Sequence, residues 1–131
     1  MLERKNEREW KVERTAAVRA NHRPTFRDLL EQTRKQAAGL AWERAKLASS
    51  MRHHAAATGQ RGAARALASV KRRAVTRAIS LMPRAIRVSV DEDYHVGLLS
   101  ISWRGHGRLH LPADTQLPDT TRLVRPLAMT A

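Results

Sequence analysis

The sequence contains no cysteine, so the chain has neither disulfide bonds nor thiolate metal sites. It also lacks a run of about 18 apolar residues, the length needed to span a bilayer. The first residues show no apolar stretch of the secretory type, and they carry Glu3, Glu7 and Glu9, whereas organelle transit peptides avoid acids. These absences predict a cytoplasmic chain without a transmembrane segment.

Aromatic residues are also scarce. They make up 4% of the 131 residues, and much of the 42% hydrophobic content is alanine. Alanine favours helix but buries little apolar area, so we expect a thin core for a chain of this length. A thin core predicts that the chain gains stability from a protein partner or by forming a homo-oligomer.

The third absence is negative charge in the middle of the chain. Between Glu43 and Asp91 there is no acidic residue, while the same stretch holds nine Arg and two Lys. The excess charge is uneven, because residues 1–83 carry a net +12 of the total +13. Such an asymmetry suggests a nucleic acid or another polyanion as partner of the basic region.

Hydrophobic periodicity predicts an α+β fold in which long N-terminal helices precede a small three-stranded antiparallel meander and an extended C-terminal tail. Thr25 and Asp28 have the spacing of a capping box at the start of the second helix. The predicted regions are a basic helical region, 1–83, with helices at about 2–20, 26–57 and 63–82; a sheet region, 84–111; and the tail, 112–131.

The second and third helices are separated only by a short stretch with two glycines, which predicts an antiparallel αα-hairpin. Along the second helix, apolar residues recur at intervals of three and four, as in a coiled-coil seam, and Arg44 interrupts that seam. This pattern indicates contact with another protein. The candidate partner-binding residues are Leu30, Leu40, Trp42, Leu47, Met51 and Trp103.

The third helix is predicted to be amphipathic, with an apolar face and an arginine-rich face. Arginine suits bidentate phosphate contacts, and a solvated surface normally mixes charges of both signs. Lys71 falls within the apolar arc, from which its long stem can reach solvent. The candidate nucleic-acid-binding residues are Arg52, Arg61, Arg65, Lys71, Arg72, Arg73 and Arg77.

Residues 85–111 change to a two-residue period. Ile86, Val88 and Val90 alternate with polar residues, and Leu99, Ile101 and Trp103 do so again. Turn-forming residues separate these runs, and the alternation predicts antiparallel strands with one apolar face. Two prolines, Pro112 and Pro118, make further continuation of the sheet unexpected.

Catalytic and metal-binding motifs are absent from the sequence. His106, His110 and Asp114 are spaced by four, but the glycines and proline around them disfavour the helix that would align them as ligands. The four residues 59–62 match the G-x-x-G pattern of a KH domain, but no strand precedes them. We therefore expect neither an enzyme nor a metal or cofactor site.

The sequence is compatible with two functional hypotheses. The first is a non-catalytic nucleic-acid-binding accessory protein, DNA or RNA, that contacts the phosphate backbone with little base specificity and belongs to a larger complex. The second is a structural or assembly protein whose helices mediate oligomerisation or bind an acidic protein partner.

Overall fold

A computed structural model describes residues 23–91, 97–119, 121 and 123–124. Two long helices, α1 (Phe26–Ala57) and α2 (Arg61–Leu81), are followed by an antiparallel sheet, which confirms the α+β prediction. The helix predicted at 2–20, the acidic turn after Asp91 and most of the tail lie outside the described residues. Contacts divide the chain into Met1–Gln32 and Thr33–Ala131, and the core and surfaces discussed below belong to the second unit.

Helix α1 begins with the predicted capping box. The Thr25 backbone N–H donates to Asp28 Oδ2 at 3.1 Å, and the Asp28 N–H donates to Thr25 Oγ1 at 3.2 Å. The helix ends in a Schellman motif, in which the Gln60 N–H donates to the Ala55 carbonyl at 2.8 Å. Gly59 takes the left-handed conformation (φ 76°) that this motif requires.

Helix α2 follows after only three residues and starts two residues earlier than predicted, at Arg61. It ends at Leu81, where the Met82 N–H still donates to the Ala78 carbonyl at 2.9 Å. Pro83 explains the stop, because the residue before a proline is disfavoured in the α conformation. The connection therefore forms the predicted helical hairpin.

The sheet contains β1 (Ile86–Asp91), β2 (Leu98–Trp103) and β3 (Gly107–Pro112), each antiparallel to the next. Val88 pairs with Ile101, and Ile101 pairs with Leu109, so that alternate apolar residues share one buried face. The predicted meander is confirmed. Gly105 and Gly107, both at positive φ, turn the chain between β2 and β3.

A fourth strand, β4 (Leu123–Val124), adds to the sheet beside β1 and runs parallel to it, giving the order β3-β2-β1-β4. The sequence predicts only an extended tail in this region, because two residues are too short for a recognisable alternation. Pro112 pairs opposite Leu98 as the last residue of an edge strand, a place where proline's missing N–H is tolerated.

The core joins the helical hairpin to one face of the sheet. Trp42 is fully buried; its ring lies edge-on to Trp103 at a centroid distance of 5.8 Å, and its Nε1–H donates to the His106 carbonyl at 3.0 Å. His106 in turn stacks on Trp103 at 3.8 Å. Around this cluster the helices contribute mainly small side chains: Ala38, Ala41, Ala45, Ala74, Val75, Ala78 and Ile79.

Helix α1 therefore buries an alanine-rich stripe rather than the leucine seam that the sequence emphasises. Leu40 is 74% exposed and Leu47 is 62% exposed. Leu40 and Arg44 are each two residues from Trp42, which places them about 160° around the helix from it. Because Trp42 faces the sheet, the seam lies on the opposite side of the hairpin.

Candidate nucleic-acid interface

The arginines of α2 occupy two separate rows. Successive residues of a helix are 100° apart, so Arg72 and Arg73 project in different directions although they are adjacent in sequence. Arg61, Arg65 and Arg72 lie within about 40° of one another, and we call them the arginine row. All three side chains are exposed.

The remaining two, Arg73 and Arg77, lie on the other flank of α2, next to Val70. Arg72 is two residues from Val70 and hence about 160° away from it around the helix. The sequence places all five arginines on a single broad face, whereas the helical geometry separates them into two surfaces. Within α2, Val70 is the one exposed large apolar residue, and it lies on the side of the helix away from the arginine row.

Lys71 is a buried cation on the inner side of the same helix, with 6% of its surface exposed. Burial lowers the pKa of its ammonium group, and the positive charge of Arg52 on α1 lowers it further. Two cations from facing helices are therefore close enough to repel each other. No carboxylate in the described part of the chain forms an ion pair with either of them.

The Lys71→Met variant is expected to be more stable than the wild type by about 1 kcal/mol at neutral pH, since methionine fills similar volume without a buried charge. The unfolded chain holds the Lys71 proton to a higher pH than the folded chain, so wild-type stability rises as pH approaches 10.5. The advantage of the variant should therefore shrink in alkali. Urea unfolding at pH 7 and near pH 10 measures both effects, and a less stable variant at pH 7 would contradict them.

Along the rest of the basic surface, the part of the chain that the structure describes supplies few acidic partners. Lys46 pairs with Glu43 at 3.4 Å, and both side chains are largely exposed. None of the exposed arginines of α2 has a carboxylate within ion-pair distance in the described residues. Within the described residues, the positive charge on the exposed arginines of α2 is thus not neutralised by ion pairs.

A groove with a volume of about 570 Å³ lies between α1 and α2. Small side chains, Ala37, Ala41 and Ala74, form part of its lining, and Leu40 and Val70 contribute the larger apolar surface. Its charged residues are Arg44, Arg73 and Arg77. The groove therefore combines apolar and cationic surface, in contrast to the arginine row.

The predicted partner-binding residues divide into two groups. Leu30, Leu40, Leu47 and Met51 are exposed, with Leu30 in the first turns of α1. Trp42 and Trp103 are core residues of this chain, where each is at most 5% exposed. Since the two tryptophans pack against each other and against His106, they are not surfaces for a partner.

The three residues with metal-ligand spacing lie in different settings. His106 stacks on Trp103 in the turn, His110 lies on β3, and Asp114 follows that strand. In the described ranges no three His, Asp or Glu side chains are grouped as metal ligands would be. Neither helix of the described chain is long and apolar enough to cross a bilayer.

Sequence reasoning missed the groove and the division of the arginines. The division of the arginines could be predicted from the sequence, because successive residues of a helix are 100° apart and adjacent arginines therefore cannot lie in one narrow row. The groove could not be predicted in this way, because it depends on which face of α1 is buried. Contacts of Trp42 with residues some sixty positions away determine that face.

No protein-family model matches this chain, and the comparisons with curated proteins and with solved structures give no significant match.

Proposed function

We propose that the protein is a non-catalytic nucleic-acid-binding accessory protein whose arginine row contacts the phosphate backbone. The observation that supports this most is the row itself: three exposed arginines on one flank of α2, with neither carboxylate partners nor exposed large apolar residues beside them in the described chain. Charge without apolar surface suits a ligand that presents phosphates.

The dimensions of the row agree with this ligand. Arg61 and Arg72 are eleven residues apart, which corresponds to about 16 Å along the helix. At 3.4 Å per nucleotide of a B-form strand, such a row passes about five phosphates. Arginine's forked guanidinium suits contact with phosphate oxygens.

Arg52 on α1 is exposed and adds a further cation to the proposed surface, whereas Lys71 is buried on the inner side of α2, with 6% of its surface exposed. The positive charge of Arg52 contributes to the lowered pKa of Lys71, and no carboxylate in the described chain forms an ion pair with either residue. A phosphate bound at the exposed Arg52 would offset the repulsion between the two cations, so Arg52 favours anion binding.

We expect little base specificity. Base stacking requires several exposed aromatic rings, whereas Trp42 and Trp103 are buried in the core and the exposed Phe26 is a single ring in the first turn of α1. A helix that contacts only phosphates positions itself without reading sequence. The proposal includes a cytoplasmic location and a place in a larger complex.

A salt titration tests the proposed ligand class. Labelled duplex DNA, single-stranded DNA and RNA of one length are titrated with the full chain by fluorescence anisotropy between about 50 and 200 mM salt. With three phosphate contacts from the arginine row and a fourth from Arg52, the slope of log K against log salt for duplex DNA should be about −3.6. A slope near zero, or no binding of any of the three at low salt, would refute the proposal.

A further inference from the structure

The side of the helical hairpin opposite the sheet presents an apolar surface that the described chain leaves uncovered. Leu47 and Met51 lie at 140° and 180° from Trp42 around α1, on the same side as Leu40. Every large apolar side chain that is exposed in the described part of Thr33–Ala131 lies on this side. They are Leu40 (74%), Leu47 (62%), Met51 (49%) and Val70 (39%).

The groove between the two helices lies within this surface. Its alanines leave room that larger residues would have filled, and the volume of about 570 Å³ accommodates several aliphatic side chains. The apolar residues around it stand on two helices of the hairpin. A third helix laid along the groove would bury them in the same way that helices pack in bundles.

Three arginines surround the apolar residues of the groove. Arg44 comes from α1, while Arg73 and Arg77 are one turn apart on α2. None of them forms an ion pair with a carboxylate of the described residues. An occupant of the groove must therefore present both apolar side chains and negative charge.

We infer that this face binds an acidic amphipathic helix of a partner protein. Leucine-like residues of that helix enter the alanine-lined groove beside Leu40 and Val70. Carboxylates along its edges pair with Arg44, Arg73 and Arg77. This is recognition of a helix in a groove, in which apolar anchors supply affinity and the surrounding charges select the partner.

The same observations disfavour the other occupants. A second copy of the chain would bring its own Arg44, Arg73 and Arg77 to the interface, and the net charge of +13 adds to that repulsion. A nucleic acid would neutralise the arginines but would leave Leu40 and Leu47 exposed beside a phosphate backbone. Only an acidic amphipathic segment satisfies both properties of the groove.

The test uses a designed helical peptide of about 18 residues, or roughly 27 Å, with leucine at heptad a and d positions and glutamate at e and g. A matched peptide carries glutamine in place of glutamate. Isothermal titration calorimetry on the full chain is expected to show at least about tenfold tighter binding of the glutamate peptide. Amide resonances of Ala41 and Ala74 should shift on binding.

Substitutions in the chain test whether the glutamate peptide binds in the groove. Leu40→Ser, and the pair Arg73→Gln and Arg77→Gln, should each weaken binding of the glutamate peptide at least about tenfold. The pair Arg65→Gln and Arg72→Gln removes the same charge from the other flank of α2 and should leave peptide binding unchanged. Circular dichroism confirms that each variant is folded.

The inference fails if both peptides bind equally, if neither binds, or if the groove variants bind the glutamate peptide as the wild type does. Sedimentation showing a dimer that Leu40→Ser disrupts would assign the face to a second copy. A loss of DNA affinity that is larger in the Arg73/Arg77 pair than in the Arg65/Arg72 pair would assign it to nucleic acid. Because the peptide assay contains no nucleic acid, its outcome is independent of the proposed function.

Discussion

The Trp42→Ala variant is expected to lose about 3–5 kcal/mol of unfolding free energy, the usual cost of truncating a fully buried tryptophan. Three contributions disappear together: the packing of the ring in the core, the edge-on contact with Trp103, and the hydrogen bond to the His106 carbonyl. A domain of this size is stable by about 5–15 kcal/mol. The loss is therefore a large share of the total, and urea unfolding followed by far-ultraviolet circular dichroism measures it.

Two further variants separate these contributions. Trp42→Phe retains an aromatic ring but leaves the His106 carbonyl without its donor, so we expect a loss of about 1–3 kcal/mol. Leu40→Ala, two residues away on the exposed side of α1, should change stability by less than about 0.5 kcal/mol. If Trp42→Ala and Leu40→Ala cost the same, the assignment of the buried face of α1 is wrong.

The second large effect concerns the arginine row. Changing Arg65 and Arg72 together to glutamine removes two of the proposed phosphate contacts while retaining uncharged side chains that can form hydrogen bonds. The salt slope for duplex DNA should become shallower by about 2, and affinity at low salt should fall by at least about tenfold. Anisotropy titrations of wild type and variant across one salt series give both quantities.

The chain provides a matched control on the same helix. Arg73→Gln combined with Arg77→Gln changes the net charge by the same amount, but on the groove side of α2. We expect this pair to lower DNA affinity by less than about threefold, since general electrostatic attraction alone is reduced. Equal losses from the two pairs would mean that binding follows net charge rather than the row, and no loss from either would exclude both flanks.

Much of the local structure could be read from the sequence because its causes are local. The capping box of α1 depends on two residues three apart, and the stop of α2 depends on Pro83. The strands follow from alternation, because a period of two places Ile86 and Val88 on one face of their own strand. Each of these predictions needs only neighbouring residues and is confirmed.

The buried face of α1 could not be read in this way. Leucine has more apolar area to bury than alanine, so the periodicity favours Leu40 and Leu47, rather than Ala38 and Ala45, as residues of the buried face. The structure buries the alanines because Trp42 lies among them and finds its partners in Trp103 and at His106. Those contacts join residues about sixty positions apart, and no local pattern encodes them. The pairing of β4 with β1 is similarly non-local and involves only two residues.

The strand order leaves β3 at one edge of the sheet. Such an edge presents free backbone groups to which another chain can add, which is a common start of aggregation. In this protein the edge strand carries the charge of Arg108 and ends at Pro112, which has no N–H to donate. Addition of a further copy at that edge would set Arg108 near other like charges of a strongly basic molecule. We therefore expect the β3 edge to resist edge-to-edge association through the same excess of positive charge on which the proposed binding of an anionic ligand depends.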